Sequence, residues 1–496
     1  MVAAMATCLL AAPAALAAQV AGAMPVRAGG PTVTGAGSTW VQIALDQWRA
    51  DIARQGFAIN YQGVGSSAGR QFYIINQVDF AASEIPFQPD EVAQLRAAHR
   101  SYQYVPDVAG GTSLMYNLHS PAGARIRSLR IDANTAARIF TGSITSWQDP
   151  AIGALNPGLQ IRETRVVPVI RSDGSGTSAQ FSLFLADQAA GVWNAFVAAN
   201  QCPAPCSLWP PFPGSTQQKG SDGVANFVSN DAIGGGSMGY VEAGYAFGRG
   251  FPVANLHNAS GNFVQPTSGN VATALRHATL FADLTQNLVN VYRAREPNAY
   301  PMSSYSYLIT RTTGFDPAKG YVLGKWMIYI ACSGQREAAP LGYSPLPANL
   351  VQYVFDALGR IPGAPAPPPI DRVHCPNPNI TNPPAGSGPS PQPTPTSTPS
   401  GAPSGQPGAT PGATPGATDP GSSGPVAIGP TVATLDDGQR QVALGLAEFA
   451  ANRRPWAPIL PLALAAGVIL LAVFCPFLAA PLLRRWKRQP RGERGG

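Results

Sequence analysis

The chain has 496 residues, 12% of them charged, with 53 glycines and 50 prolines. That length exceeds one ordinary domain, and so much Gly and Pro excludes a chain that is globular throughout. The formal net charge is +7, but six Lys/Arg and one Glu follow Leu483; what precedes them is near neutral, so charge makes no case for nucleic acid.

In chain order, the first segment is "MVAAMATCLLAAPAALAAQVAGA", a short apolar run ending in small residues, with Ala15-Leu16-Ala17 as a cleavage-like site. It reads as a secretory signal over residues 1–28. Met5-Ala6-Thr7 before Cys8 lacks the aliphatic residue of a lipidation motif, so no lipid anchor is expected there.

The globular part is expected to end at residue 362. "FAINYQ", "VDFAASE", "RVVPVIR" and "SMGYVE" read as strands. Apolar stripes at Trp40/Ile43/Ala44/Trp48, Phe181/Phe184/Leu185 and Val192/Trp193/Phe196 read as helices. The alternation predicts an α/β protein, and the length suits two lobes.

Three loops share one composition. "TGAGSTW" precedes the Trp40 stripe, "QGVGSSAGRQF" follows the "FAINYQ" strand, and "RSDGSGTS" precedes the Phe181 stripe. The first turn of a helix presents free N–H groups at the positive end of its dipole. Glycine admits close approach and hydroxyls add donors, while Arg171 supplies a fixed cation with a fork suited to tetrahedral oxygens. Any one loop could be a capped helix start. Three together point to a bound anion.

Other anion and catalytic motifs fit poorly. "GSDGSGTS" lacks the lysine of a P-loop, and "GVGSSA" has no clear ribose-binding acid; Glu84, 19 residues past Gly65, can be read otherwise. The five histidines (His99, His119, His257, His277, His374) have no ligand spacing, and "DGSGT" is not the G-x-S-x-G elbow. No cofactor, metal or enzymatic activity is expected.

Apart from Cys8 and Cys475, four cysteines remain, an even number that favours disulfides in an exported chain. Cys202 and Cys206 suggest a local clip, leaving Cys332 and Cys375 as a long-range staple. The rival is a zinc site using His374, for which paired C-x-x-C spacing is lacking. Residues 363–430, with "APAPPP" and three "PGAT" units, read as a disordered linker. Residues 431–456 are a juxtamembrane segment. Residues 457–483 carry no charge, long enough to span a bilayer, and the basic tail 484–496 reads as cytoplasmic.

"TGAGSTW", "YQGVGSSAG", "VDFAASE", "RSDGSGTS" and "GYVEAGYAF" occur in this order, and together resemble the periplasmic phosphate-binding proteins of phosphate ABC transporters, the PstS type. The resemblance covers roughly residues 32–360. It implies a bilobal type II periplasmic-binding fold in 29–362, with lobe 1 about 32–108 and 298–362 and lobe 2 about 109–297. It implies phosphate contacts at Thr39, Trp40, Ser66, Arg171, Ser175, Gly176 and Thr177, with Asp173 supporting Arg171. Glu84 stands where the family has the aspartate that accepts the proton of phosphate, and Trp40 where it usually has Phe. The expected protein is a monomeric, extracytoplasmic, membrane-tethered phosphate receptor serving a permease; a surface sensor or scavenger and a surface phosphatase are the alternatives.

Overall fold

A computed structural model of the chain describes residues 30–380. The signal segment 1–28, most of the linker, and the spanning and tail segments lie outside the described residues.

One mixed sheet organises these residues. Its strands in chain order are β1 (Val33–Gly37), β2 (Ile59–Gly63), β3 (Phe80–Ser83), β4 (Gln103–Asn117), β5 (Val167–Arg171), β6 (Thr216–Gln218), β7 (Ser237–Glu242) and β8 (Ser303–Thr310). Their spatial order is β2-β1-β3-β8-β4-β7-β5-β6. β4, fifteen residues long and buried throughout, belongs to two halves. Gln103–Gly111 pairs with β8, and Thr112–Asn117 pairs with β7. Strands β1–β3 are parallel to one another, as are β5–β7, while β8 runs antiparallel to both β3 and β4. This is the expected α/β architecture of two lobes. The change of pairing partner falls inside β4, between Gly111 and Thr112.

Each half is closed by helices laid on the sheet: α1 (Gln42–Ala53), α2 (Ser66–Ile74), α3 (Gly176–Gln188), α4 (Gly220–Ser229), α5 (Pro317–Ala331) and α6 (Ala348–Leu358). In the first half Phe80 packs between Tyr61 and Trp326, at centroid distances of 6.0 and 5.3 Å. In the second, Phe181 meets Phe140, Trp209 and Tyr240 at 5.1–5.5 Å. Helix α2 comes so close to β1 that a Cβ on Gly69 would lie 2.2 Å from Gly37 Cα and 2.6 Å from Ala36 O. Neither contact is a side chain that can swing away. Gly69→Ala should therefore destabilise the fold by about 1–3 kcal/mol, read as a lower urea midpoint; an unchanged midpoint would show that α2 can lift off the strand freely.

Two expectations need correction. The stripe read from Trp40 starts too early: α1 begins at Gln42, and Trp40 lies in the bend before it, its N–H donating to Ser38 Oγ at 2.9 Å. The linker also begins later than residue 363. Pro362 and Pro365 lie along α5, which makes room for them with Gly320 and Gly324; a Cβ on those glycines would come within 1.8 Å of Pro362 O and 2.6 Å of Pro365 Cδ. Gly363 takes a φ of +82° against Pro317. Proline content suggested a chain without a core, but a proline strap can pack wherever a helix offers a glycine groove.

Both disulfides form, Cys202–Cys206 and Cys332–Cys375. The second carries residues 363–380 back to the end of α5, where Cys375, Asn377 and Ile380 are buried. Asn377 Nδ2 donates to Ala331 O at 3.1 Å and Leu346 O at 3.0 Å.

Candidate functional site

The three Gly/hydroxyl loops meet where the two halves of the sheet face one another. The first joins β1 to α1, the second joins β2 to α2, and the third joins β5 to α3. Parallel strands feeding helices place all three at the carboxyl ends of strands, with helix N-termini turned to the same region.

The third loop supplies the cation. Arg171, the last residue of β5, is 1% exposed. Its Nε donates to Asp173 Oδ1 at 2.7 Å, and its Nη2 pairs with Asp173 Oδ2. Its Nη1 points to Thr177 Oγ1 and Ser221 Oγ, each at 3.4 Å. Asp173 also accepts the Gly220 N–H at 2.9 Å. Burial pushes Asp173 upward, yet the hydrogen bonds and charge of Arg171, with the Gly220 N–H, outweigh it and hold the carboxyl below its usual range. The guanidinium is thus fixed on one side by Asp173 and held on the other, through Nη1, by two longer hydrogen bonds to hydroxyls. Ser175 Oγ caps α3 by accepting from Ser178 N at 3.2 Å.

The second loop faces it. Ser66 Oγ accepts the Gly176 N–H at 3.1 Å and donates to Glu84 Oε2 at 3.0 Å. Ser67 N donates to Gly174 O at 3.1 Å, so the loops of the two halves are in direct contact. Gly65, with φ +93°, leaves no room for a side chain, since a Cβ there would lie 2.4 Å from Asp173 Oδ2. Gly176 is equally constrained, with Glu84 Oε2 at 2.0 Å from its Cβ position.

Glu84, just past β3, is 0% exposed. Ser306 Oγ donates to its Oε1 at 3.2 Å. Burial raises its pKa, and hydrogen bonds from Ser38, Ser66 and Ser306 oppose that shift. No cation is bonded to it among the described residues; hydroxyls and its own backbone N–H hold this carboxyl group.

The first loop completes the ring. Thr39 Oγ1 lies 3.1 Å from Ser221 Oγ and accepts the Ser221 N–H at 3.0 Å. Tyr245, from the "GYVEAGYAF" stretch, donates to Thr39 O. The Trp40 ring is buried edge-on to Tyr343, and its indole N–H reaches Thr112 Oγ1 at 3.2 Å. Gly110 makes space for it: a Cβ there would lie 2.6 Å from the indole ring. A tryptophan is accommodated because β4 provides both a gap and an acceptor.

All the expected residues thus come together: Thr39, Trp40, Ser66, Glu84, Arg171, Asp173, Ser175, Gly176 and Thr177. Ser38, Ser221, Ser306 and Asp107 were missed. Ser221 had a signal, because "KGSDGVANF" repeats the same Gly/hydroxyl start of a helix; Ser306 and Asp107, inside strands, had none. Among the described residues, no group of three or more His, Cys, Asp and Glu is placed to hold a metal ion.

The chain matches the model of the PBP superfamily domain over residues 21–328. It is 32% identical over 323 residues to the phosphate-binding protein PstS of Xylella fastidiosa, covering 65% of this chain and 83% of that one. It is 30% identical over 314 residues to phosphate-binding protein PstS 3 of Mycobacterium tuberculosis, covering 62% and 80%. Among solved structures, a high affinity periplasmic phosphate-binding protein (PfluDING) bound with phosphate aligns with a TM-score of 0.51 at 19% identity, covering 66% of this chain and 93% of that one. A DING protein aligns at 0.52 and 18%, covering 68% and 100%. These structural likenesses carry the fold, and the sequence relationship carries the family: the chain belongs to the PBP superfamily and, within it, to the phosphate-binding proteins of the PstS family.

Proposed function

We propose that this chain is an extracytoplasmic receptor that binds inorganic phosphate for import by an ABC transporter. The observation that carries the reading is the pairing of opposites in one dry site. Arg171 is locked by Asp173 with Nη1 turned to the Thr177 and Ser221 hydroxyls, and the Glu84 carboxyl lies at the Gly176 turn of the same loop, linked to its N–H by the Ser66 hydroxyl. A fully ionised oxyanion would welcome the first group and be repelled by the second. Phosphate at neutral pH still carries a proton and satisfies both.

In this reading Arg171, Ser66, Thr39 and Thr177 donate to phosphate oxygens, together with the N–H groups at Trp40 and Gly176, while the Ser175 N–H stays on Ser207 O at 2.8 Å. Phosphate would replace Ser66 Oγ as the acceptor for Gly176 and Ser38 Oγ as the acceptor for Trp40. Glu84 accepts the phosphate proton, its extra methylene relative to aspartate carrying the carboxyl group to the Gly176 turn. Ser175 uses its hydroxyl to cap α3, which suits a binding role better than a hydrolytic nucleophile.

Glu84→Gln tests the assignment. The amide presents an N–H where the carboxylate presented a charge, so sulfate should be admitted. Sites that leave a buried polar group unpaired reject the wrong ligand by roughly 10⁴ or more. The phosphate-over-sulfate ratio, measured by calorimetry, should therefore fall by at least about tenfold. Sulfate still excluded from that variant would remove Glu84 as the discriminating group.

Tethering belongs to this proposal on sequence grounds. The uncharged run 457–483 and the basic tail lie outside the described residues, and among the described residues no helix is long and apolar enough to cross a membrane. A linker ending in such an anchor would raise the receptor's effective concentration at a permease in the same membrane.

A further inference from the structure

Asp107 lies on β4 within the buried sheet and is 0% exposed. Its Oδ1 accepts the Val108 N–H at 2.6 Å, while its Oδ2 accepts no hydrogen bond. The sheet topology places Asp107 beside Ser306. Ser306 sits on β8 between two partners, because Tyr307 pairs with Ser83 of β3 on one side and Pro106 of β4 on the other. Glu84, which follows Ser83, and Asp107, which follows Pro106, therefore flank Ser306. The β8–β4 register slips between Tyr305 and Tyr307, so that Ser306 alone opposes Asp107 and Val108, a β-bulge.

Hydrogen bookkeeping then decides where a proton sits. A serine hydroxyl has one proton to give and two lone pairs with which to accept. Ser306 gives its proton to Glu84 Oε1 at 3.2 Å. It can satisfy Asp107 only by accepting from it, which requires Asp107 to carry a proton on Oδ2. We propose that Asp107 and Glu84 form a one-proton carboxyl pair bridged by Ser306, in which Asp107 keeps the proton and thereby holds Glu84 as the ionised acceptor for the proton of phosphate. The proposal deepens the phosphate reading and rests on it.

The surroundings agree. Burial raises the pKa of both groups, and for Asp107 the neighbouring Glu84 charge adds to it; hydrogen bonding with the Val108 and Asp107 N–H groups and the Ser306 hydroxyl opposes the shift, which still leaves Asp107 well above the usual carboxylate range. Two carboxyl groups buried side by side with no cation between them do not both ionise, and they titrate as a pair. The other titratable groups facing them supply no such cation. The Tyr61 and Tyr343 phenols donate to Ser38 O at 2.7 Å and Trp40 O at 2.6 Å, and both are held neutral by burial. Arg70 is bound to Glu91 and Ser83 Oγ, and Arg171 across the site is bound to Asp173. The remaining contacts are neutral amides: Gln335 donates to Asp107 O, and Gln180 and Gln286 to Glu84 O.

The sign of the pH effect follows. A carboxyl group whose pKa is raised by folding keeps its proton in the folded chain after the unfolded chain has lost it. It therefore erodes stability progressively as pH rises above about 4, up to its folded-state value. When the shared proton is finally lost, a second negative charge enters the site and repels phosphate. The decisive variant is Asp107→Asn, which cannot ionise; Asp107→Ser carries the same expectation should the amide prevent folding.

Two measurements on the full chain test the pair. Without ligand, the urea midpoint of the variant relative to wild type should rise steadily between pH 4 and pH 7. With phosphate, the ratio of variant to wild-type affinity should climb at least tenfold between pH 6 and pH 9; taking the ratio cancels the titration of phosphate itself. A stability gap or an affinity ratio that stays flat with pH overturns the proposal. A wild-type chain that binds no phosphate at any pH overturns the receptor reading instead, and the ligand-free stability gap then judges the pair by itself.

Discussion

Arg171→Ala should lose phosphate binding by a larger factor than any other single change at the site. The guanidinium is 1% exposed, and no other cation is bonded to the ring of loops among the described residues. Removing one partner of a buried charge pair costs about 2–5 kcal/mol, a factor of roughly thirty to several thousand in Kd. The same change also strands Asp173, which then keeps the Gly220 N–H and its own backbone N–H but no cation. Arg171→Lys should recover little. An ammonium is a point charge and cannot grip both Asp173 oxygens while presenting a third donor to the ligand. Calorimetry with phosphate on variants whose thermal midpoints match wild type would check both. Near-normal affinity in Arg171→Ala would remove this cleft as the phosphate site.

The second large effect concerns stability. Replacing Cys332 and Cys375 together by serine opens a loop of sequence separation 43. The chain-entropy account gives about 4 kcal/mol for such a loop, with a smaller value, about 2 kcal/mol, for the separation of 4 between Cys202 and Cys206. Urea unfolding under oxidising conditions should show the difference between the two double variants. Phosphate affinity should change little in the first, because the staple joins the end of α5 to residues 363–380 and touches none of the proposed phosphate contacts. A loss below about 1 kcal/mol would mean that the Asn377 hydrogen bonds and the burial of Ile380 hold the strap without a cross-link.

Much of the candidate site is legible in the sequence because its elements are local. A Gly/hydroxyl loop at a helix start announces free N–H groups whatever lies elsewhere in the chain. Asp173 follows Arg171 by two residues, so their pairing needs only one turn of loop. The strands around "VDFAASE" and "SMGYVE" carry the apolar character of a buried sheet, which periodicity detects. The four cysteines likewise offered few pairings. What local sequence misread was packing. The proline strap after residue 361 looked coreless until Gly320 and Gly324 were seen to receive it.

The sequence by itself determined the α/β class, the three Gly/hydroxyl loops at helix starts, and the cation with its carboxylate brace, because each depends on neighbours within a few residues. Only the tertiary structure decided which strand would be shared by the two halves, where Ser221 would close the ring, and that Ser306 would stand between Glu84 and Asp107. Those relations join residues up to 222 positions apart, as in the Ser306–Glu84 hydrogen bond. They depend on strand order and on a one-residue slip in register, and a slip of that kind redirects side chains without altering local composition or propensity.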